Sequence, residues 1–307
     1  MAELTIVDAH VHWRDPATNP YELLSDSVSE DGGRNGSPAD IYLPIDFKED
    51  AAGLKLVGAV HIEAEWDHGD PVGETRWLHE VARSETIEHV PPFVVVGHAD
   101  LSRSDAPDIL AGHAAYPLTR GIRHMLNFLE GRPDLCWADR EYLDDPLWRE
   151  NYGRLADHGL HFDLMCFAHQ LPAFAALAER HPNIPVHLEH AALPWDHTLD
   201  GRRRWREGMG ALAALPHADV KISGLGNTVP GWSVDAICDY VLETVDLFGT
   251  DRVSFASNFP TDKPFGSMVA HWRAYDRITR GFSTIEREAM FCNNALRSYR
   301  FPIPDAG

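Results

Sequence analysis

The segment LTIVDAHVH, residues 4–12, reads as a short β-strand over residues 4–10 that delivers two histidines, His10 and His12, at its C-terminal end. Its apolar and β-branched residues carry no helical period. Runs of the same kind recur at LVGAVHIEA (56–64), PFVVVGHA (92–99), RGIRHML (120–126), LHFDLMCF (160–167), IPVHLEH (184–190), DVKISGL (219–225) and RVSFAS (252–257). Helical stretches lie between them. Residues 172–181, PAFAALAERH, open on Pro172, which suits a first helical turn. Residues 234–247 follow Ser233 as N-cap and place Val234, Ile237, Cys238, Val241, Leu242 and Val245 on one face. A last helix follows Ser283 and Thr284 and carries Ile285, Ala289, Leu296 and Tyr299.

Eight strands alternating with helices predict an α/β fold, a (β/α)8 TIM barrel, which usually needs about 250 residues. The alternative, a doubly wound open sheet, would need a glycine-rich phosphate loop after a strand. Neither GxGxxG nor GxxxxGK[ST] occurs. Residues 1–307 therefore read as one barrel domain. Residues 13–50 break the rhythm, with SEDGGRNGSPAD and little apolar pattern. A loop insertion of that length after the first strand reads as a lid over the catalytic face in preference to a disordered connection.

The chain has 307 residues, 27 Lys+Arg against 47 Asp+Glu and a formal net charge of −20. That balance argues against nucleic acid and anionic membrane as partners, because both demand a basic field. No run approaches the ~18 apolar residues of a spanning helix. The N-terminal residues show neither the basic region nor the apolar core of a secretory signal. Cys136, Cys166, Cys238 and Cys292 are dispersed, with no CxxC, which suits reduced thiols in the cytoplasm. A small-molecule substrate is the expected partner, an anionic one included since the acidic balance does not forbid it, with a homo-oligomer open.

The active site of such a barrel sits at the C-terminal ends of its strands, and the polar residues of this sequence gather there. The strand ends supply, in order, His10 and His12; His61, Glu63 and Glu65; His98 and Asp100; Arg123 and His124; His169; Glu189 and His190; Lys221 and Ser223; and Asn258. His10 and His12, two apart on an extended chain, face the same side and can share one cation through neutral imidazole. The bland alternative is two strand-end histidines bonded to Asp8 or to backbone. His190 is either a third member of that group or a satisfied core histidine. His169 either lines the site or positions the helix that follows it. Arg123 offers a planar fork for a carboxylate or a lactone carbonyl, unless Glu63 or Glu65 consumes it.

The stretches VDAHVHW, VHIEAEW, VVVGHADL, TRGIRHML, FDLMCFAHQLP, VHLEHAALP, VKISGLG, SFASNFPTDK and NNALRSYRF, in that order from residue 7 to residue 301, resemble the amidohydrolase superfamily. The likeness is to its amidohydrolase-2 branch of TIM-barrel hydrolases, which includes 2-pyrone-4,6-dicarboxylate lactonase and L-fuconolactonase-like enzymes. The resemblance implies that His10, His12 and His190 line the site, and that the eighth strand supplies the acid–base group. In metal-dependent relatives that group is an aspartate in a GSDWP-like motif. Here the motif reads FASNFP and the position is Asn258. An amide has no basic lone pair near neutral pH and is a weaker, uncharged ligand, so Asn258 orients a water or a carbonyl but is not the base. Asp262, four residues on, becomes the candidate base, unless it is a helix N-cap or the partner of Lys263. His190 and Glu63 are the other candidates.

The expected activity is that of a lactonase, a hydrolase opening a sugar lactone or a carboxylated pyrone with an activated water. His10, His12, His190, Asn258 and Asp262 form the catalytic set, with Glu63, Arg123, His124, His169 and Lys221 binding substrate. A divalent metal, zinc or manganese, held by His10, His12 and His190 is one form of the site; imidazoles and Arg123 acting directly on the oxyanion is the other. The basic run Arg202, Arg203, Arg204 and Arg206 reads either as a positive mouth or as a solvated helix face. Two alternatives remain: a metal-dependent decarboxylase of an aromatic acid, and a catalytically silent barrel that binds a small molecule.

Overall fold

A computed structural model of the chain describes residues 4–21, 41–84 and 91–302. Eight parallel strands run in sequential order around one sheet. They are β1 (Thr5–Val11), β2 (Lys55–Ile62), β3 (Phe93–His98), β4 (Thr119–Met125), β5 (His161–Met165), β6 (Val186–Leu188), β7 (Ala218–Ile222) and β8 (Val253–Phe255). The ring closes beyond β8, where Asn258 N donates to His10 O at 2.9 Å and His12 N donates to Phe259 O at 2.8 Å. Buried Asp8 adds a side-chain staple, its Oδ1 accepting from Ser257 N at 2.9 Å. The α/β barrel expected from the alternation is the observed fold.

All eight expected strands are present, but β6 and β8 shrink to three residues each. The chain leaves the ladder early in both places and turns into the barrel mouth. After β6, His190, Ala191, Ala192 and Leu193 all have φ between 48° and 59°. Such left-handed backbone is costly for residues with a Cβ and tends to mark functional sites. The helix expected at 172–181 runs Leu171–Ala178, and that at 234–247 runs Val234–Phe248, with Ser233 Oγ accepting from Ala236 N. The last expected helix is present and continuous over residues 284–298: Thr284–Glu288 and Asn294–Ser298 are joined by a π-helical turn at Ala289–Asn293.

Strand parity divides the barrel into two layers. Phe162, Leu164, Val186, Leu188, Val220, Ile222, Val253 and Phe255 pack outward against the helices in the main core. The interior itself has two halves. Along β1–β3 it is apolar, with Val7, Ala9, Val60, Ile62, Val94 and Val96 closed off by Tyr299 and Phe301. Along β4–β7 the inward positions are polar: Arg123, His161, Asp163, His187 and Lys221, all buried. A register shift in β1, between Asp8 and Val11, lets His10 and His12 join that interior. Val7 and Ala9 face in, the bulge flips the parity, and the two histidines then face in as well.

Both ends of the 13–50 insertion are anchored where they are described. Arg14 and Tyr42 form an antiparallel bridge, Tyr21 bridges Trp66, and Asp50 pairs with Lys263 at 2.8 Å. The centre of the expected lid, residues 22–40, lies outside the described residues. No helix among the described residues is long and apolar enough to cross a membrane.

Candidate active site

β1 presents His10 and His12 with their Nε2 atoms 3.0 Å apart. His12 Nδ1 contacts the carbonyls of Ile62 and Glu63 at 2.9 and 3.1 Å. A proton on that nitrogen leaves the Nε2 lone pair facing His10. The His190 ring lies 4.5 Å from that of His10, and its Nδ1 bonds Ser223 Oγ at 2.9 Å. His10 Nδ1 in turn sits 3.1 Å from Lys221 Nζ and 3.4 Å from Glu189 Oε1. All three imidazoles are thus held on the Nδ1 side, the support that orients histidines toward a common ligand. Burial, reinforced by Lys221, pushes His10 and His190 well below the usual imidazole range, and burial with Arg123 nearby pushes His12 down to about 3. They are neutral bases at any ordinary pH.

Beneath the imidazoles runs an alternating chain of buried charge. Glu63 accepts from Arg123 Nε at 2.6 Å; Arg123 Nη1 reaches Glu189 Oε2 at 3.2 Å. Glu189 Oε1 accepts from Lys221 Nζ at 3.1 Å, and Lys221 donates to Asp163 at 2.6 Å. Burial alone would raise Glu63, but the Arg123 guanidinium overrides it and holds the carboxyl at about 2. The pairing foreseen as the competing role of Arg123 is therefore what the structure contains, with Glu189 as second partner. Lys221 is likewise committed inside the barrel.

Asp262 is buried beside the mouth. Its Oδ1 accepts from Asn258 Nδ2 at 2.9 Å and also from Asn227 Nδ2, while its Oδ2 is buried with no hydrogen-bond partner among the described residues. Burial raises its carboxyl to about 7, against the pull of Asn258, the Gly224 backbone and Asn227. The two bland readings of Asp262 fail. Lys263 pairs with Asp50 instead, and the Asp262 side chain caps no helix. Asn258 sits at φ 59°, a left-handed conformation that asparagine tolerates, which turns its side chain back toward Asp262.

The remaining expected residues are spread more widely. His124, one residue past Arg123, lies on the opposite face of β4, where Nδ1 accepts from the Trp148 indole at 3.0 Å. His169 is exposed at the mouth, its ring 6.0 Å from that of Phe167. The loop it belongs to is fixed instead by Gln170, whose side chain bonds Phe167 N at 3.0 Å and Leu126 O at 2.7 Å. The Arg202–Arg206 run is a solvated helix face: Arg203 and Arg204 pair with Asp200, Arg202 with Glu243 and Arg206 with Asp246.

Sequence reasoning passed over Asp163, Asn227 and Gln170. Asp163 carried a signal, since a lysine at an inward barrel position demands a buried carboxylate partner. Asn227 carried none; it lies in the short helical turn Leu225–Thr228 and meets Asp262 only through the fold. That turn, with Val229, Trp232 and Phe265, lines a cavity of about 440 Å³ that reaches the site through Asn227.

A barrel with an HxH pair on the first strand, a histidine after the sixth and a carboxyl after the eighth belongs to a definable class. Residues 7–301 match the amidohydrolase family model Amidohydro_2, and the chain belongs to that family. It is 39% identical over 304 residues to the uncharacterised protein y4mH of Sinorhizobium fredii, covering 98% of this chain and all of that one. It is 32% identical over 238 residues to an L-fucono-1,5-lactonase of Burkholderia ambifaria, covering 75% and 77% of the two chains. The fold matches a Burkholderia multivorans amidohydrolase crystallised with bound zinc, with TM-score 0.78, 26% identity and coverage of 97% and 100%. Family and relatives together support a hydrolase.

Proposed function

We propose that the protein is a lactonase that opens a small, uncharged cyclic ester of the sugar-lactone type with water. The observation that carries this reading is Asp262: a buried carboxyl near pKa 7, clamped by two amides, with one oxygen that has no hydrogen-bond partner among the described residues. A group titrating near the working pH is the effective kind of general base. In its ionised form Asp262 accepts a proton from the attacking water as the C–O bond forms at the lactone carbonyl. The tetrahedral centre then collapses, the ring C–O bond breaks, and the proton on Asp262 passes to the ring oxygen, giving a hydroxy acid. Asn258 and Asn227 hold the carboxyl in place. His190, when its Nδ1 accepts from Ser223 Oγ, keeps an Nε2–H to donate to the developing oxyanion, while the Nε2 atoms of His10 and His12 engage each other.

Those three imidazoles also suit one divalent ion, zinc or manganese, because each is held on its Nδ1 side and the Nε2 atoms of His10 and His12 converge. When bound, such an ion polarises the carbonyl as a Lewis acid. An uncharged substrate is favoured because Arg123 and Lys221 are consumed by Glu63, Glu189 and Asp163, and the Arg202–Arg206 run by its own acidic neighbours. The Trp232 indole in the adjoining cavity, with Asn227 and Thr228, offers the apolar face and neutral hydrogen bonds that a polyhydroxylated ring needs. Hydrolysis followed with a pH indicator on five- and six-membered sugar lactones and on a carboxylated pyrone tests the proposal, run with and without chelator and paired with metal analysis. Turnover of the sugar lactones alone is expected. Turnover of neither class would refute it, and turnover of the pyrone alone would refute the choice of an uncharged substrate.

A further inference from the structure

A second cluster of ligand-type residues lies at the N-terminal end of the barrel, away from the mouth. His161 opens β5, Asp163 follows two residues on, and His187 faces them from β6; all three are buried. One donor atom from each falls within 4.8 Å of the others. The two imidazole rings are 4.5 Å apart and nearly perpendicular. His161 Nε2 lies 3.2 Å from Asp163 Oδ1, off the line that a hydrogen bond needs.

Two observations say that this cluster lacks a component, and a third that its place is built in. Every ring nitrogen of His161 and His187 is buried without a hydrogen-bond partner among the described residues. Buried polar groups are otherwise almost always satisfied, so four orphan nitrogens in one place call for a ligand. The interior charge is also unbalanced. Among the described residues the lysine and arginine ion-pair partners of Glu63, Asp163 and Glu189 are Arg123 and Lys221, two cations for three carboxylates, and Asp219 Oδ2, which accepts from Ser298 Oγ, stands 3.8 Å from His187 Nδ1. Finally, the space is built for the His161 ring: a Cβ on Gly121 would lie 1.9 Å from His161 Cδ2, so only glycine admits it.

We propose that His161, Asp163 and His187 form a second, buried cation site whose role is to hold β5 and β6 together at the bottom of the barrel, with water in the fourth position. Two imidazoles and one carboxylate select a borderline transition ion such as zinc over magnesium or calcium. Zinc–ligand bonds of about 2.0–2.1 Å in a tetrahedral site put donor atoms about 3.3 Å apart, so a modest contraction of the cluster closes it. A proton on His187 Nδ1, on the side of the Asp219 carboxylate 3.8 Å away, leaves Nε2 as its ligand atom. Asp163 Oδ2 accepts from Lys221 and, at 3.0 Å, from the Tyr299 hydroxyl, while Oδ1 has only the longer 3.4 Å contact with that hydroxyl and is the oxygen turned to the ion. Burial keeps both imidazoles neutral, the form that binds a metal, with His187 at about 3.

The test is a zinc count on protein from zinc-supplemented cultures, for the wild type, His187→Gln and the double mouth variant His12→Gln/His190→Gln. His187→Gln should lose one equivalent, and the mouth variant should keep one that dialysis against EDTA removes only on unfolding. An unchanged count in His187→Gln overturns the proposal. An unchanged count in the mouth variant speaks instead against metal at His10, His12 and His190, so the two failures are distinguishable. Should His187→Gln not fold, anomalous scattering at the zinc edge from wild-type crystals decides. A peak between His161, Asp163 and His187 supports the site, and an ordered water there overturns it.

Discussion

Replacing Asp262 by asparagine separates catalysis from stability, because the same burial that makes the carboxyl a good base makes it a poor structural residue. Its pKa of about 7 against an ordinary 3.8 corresponds to roughly 4 kcal/mol of penalty on the ionised form, carried in full only above pH 7. Between those two values the native state binds the extra proton, so this group makes stability fall as pH rises from about 4 to about 7 and stay low beyond. Asparagine carries no such penalty. Its carbonyl can still accept from Asn258 Nδ2 and Asn227 Nδ2, so the clamp survives. Asp262→Asn should therefore leave the melting temperature at pH 8 unchanged or higher. It should lower kcat/KM by 10²–10⁴, the usual worth of a general base, equivalent to about 3–5 kcal/mol of transition-state stabilisation. The wild-type rate should rise with pH to a plateau above about 7, and that limb should vanish in the variant. Differential scanning fluorimetry and a pH-indicator lactone assay measure both. A variant that retains activity within threefold, or that melts far below the wild type, refutes the assignment.

Other perturbations have equally definite outcomes. Arg123→Met strands Glu63 in the barrel without a cationic partner, leaves Glu189 only Lys221, and should cost about 3–5 kcal/mol in urea unfolding; a loss under 1 kcal/mol contradicts the buried-pair account. Because Glu63 moves from 4.5 down to about 2 beside Arg123, the stability it contributes is complete above pH 4.5 and disappears as pH falls through about 2. Acid titration of the wild type against Arg123→Met should show that difference. Gly121→Ala drives a methyl group into the His161 ring and should destabilise by about 1–3 kcal/mol or more; a neutral result would mean that His161 can leave its place at no cost.

Much of the architecture was legible because it depends on local pattern. Strand residues repeat every two and helical ones every three to four, so eight strand–helix units announce a barrel before any contact is known. The motif positions likewise put His10, His12, His190, Asn258 and Asp262 at one end of the fold, where the structure also has them. Illegible from the chain was which strand-end residue faces which way. Arg123 and His124 are adjacent, yet one joins the interior charge chain and the other bonds Trp148 in the helical layer. The β1 bulge, a one-residue shift against β2, gives His10 and His12 the interior parity that regular alternation gives to Val7 and Ala9.

The sequence by itself determined the barrel, the imidazole set and the absence of an aspartate at the eighth strand, since these follow from residue identity and spacing. Only the tertiary structure decided what each charge is for. Arg123 and Lys221 could serve a substrate or a carboxylate equally well until the fold placed Glu63, Glu189 and Asp163 within hydrogen-bond reach of them. Asp262 was an ordinary aspartate until burial, against the pull of two amides, moved its titration to about 7. Desolvation and pairing act over a few ångströms between residues as far apart as 163 and 221, and that proximity exists only once the chain has closed on itself.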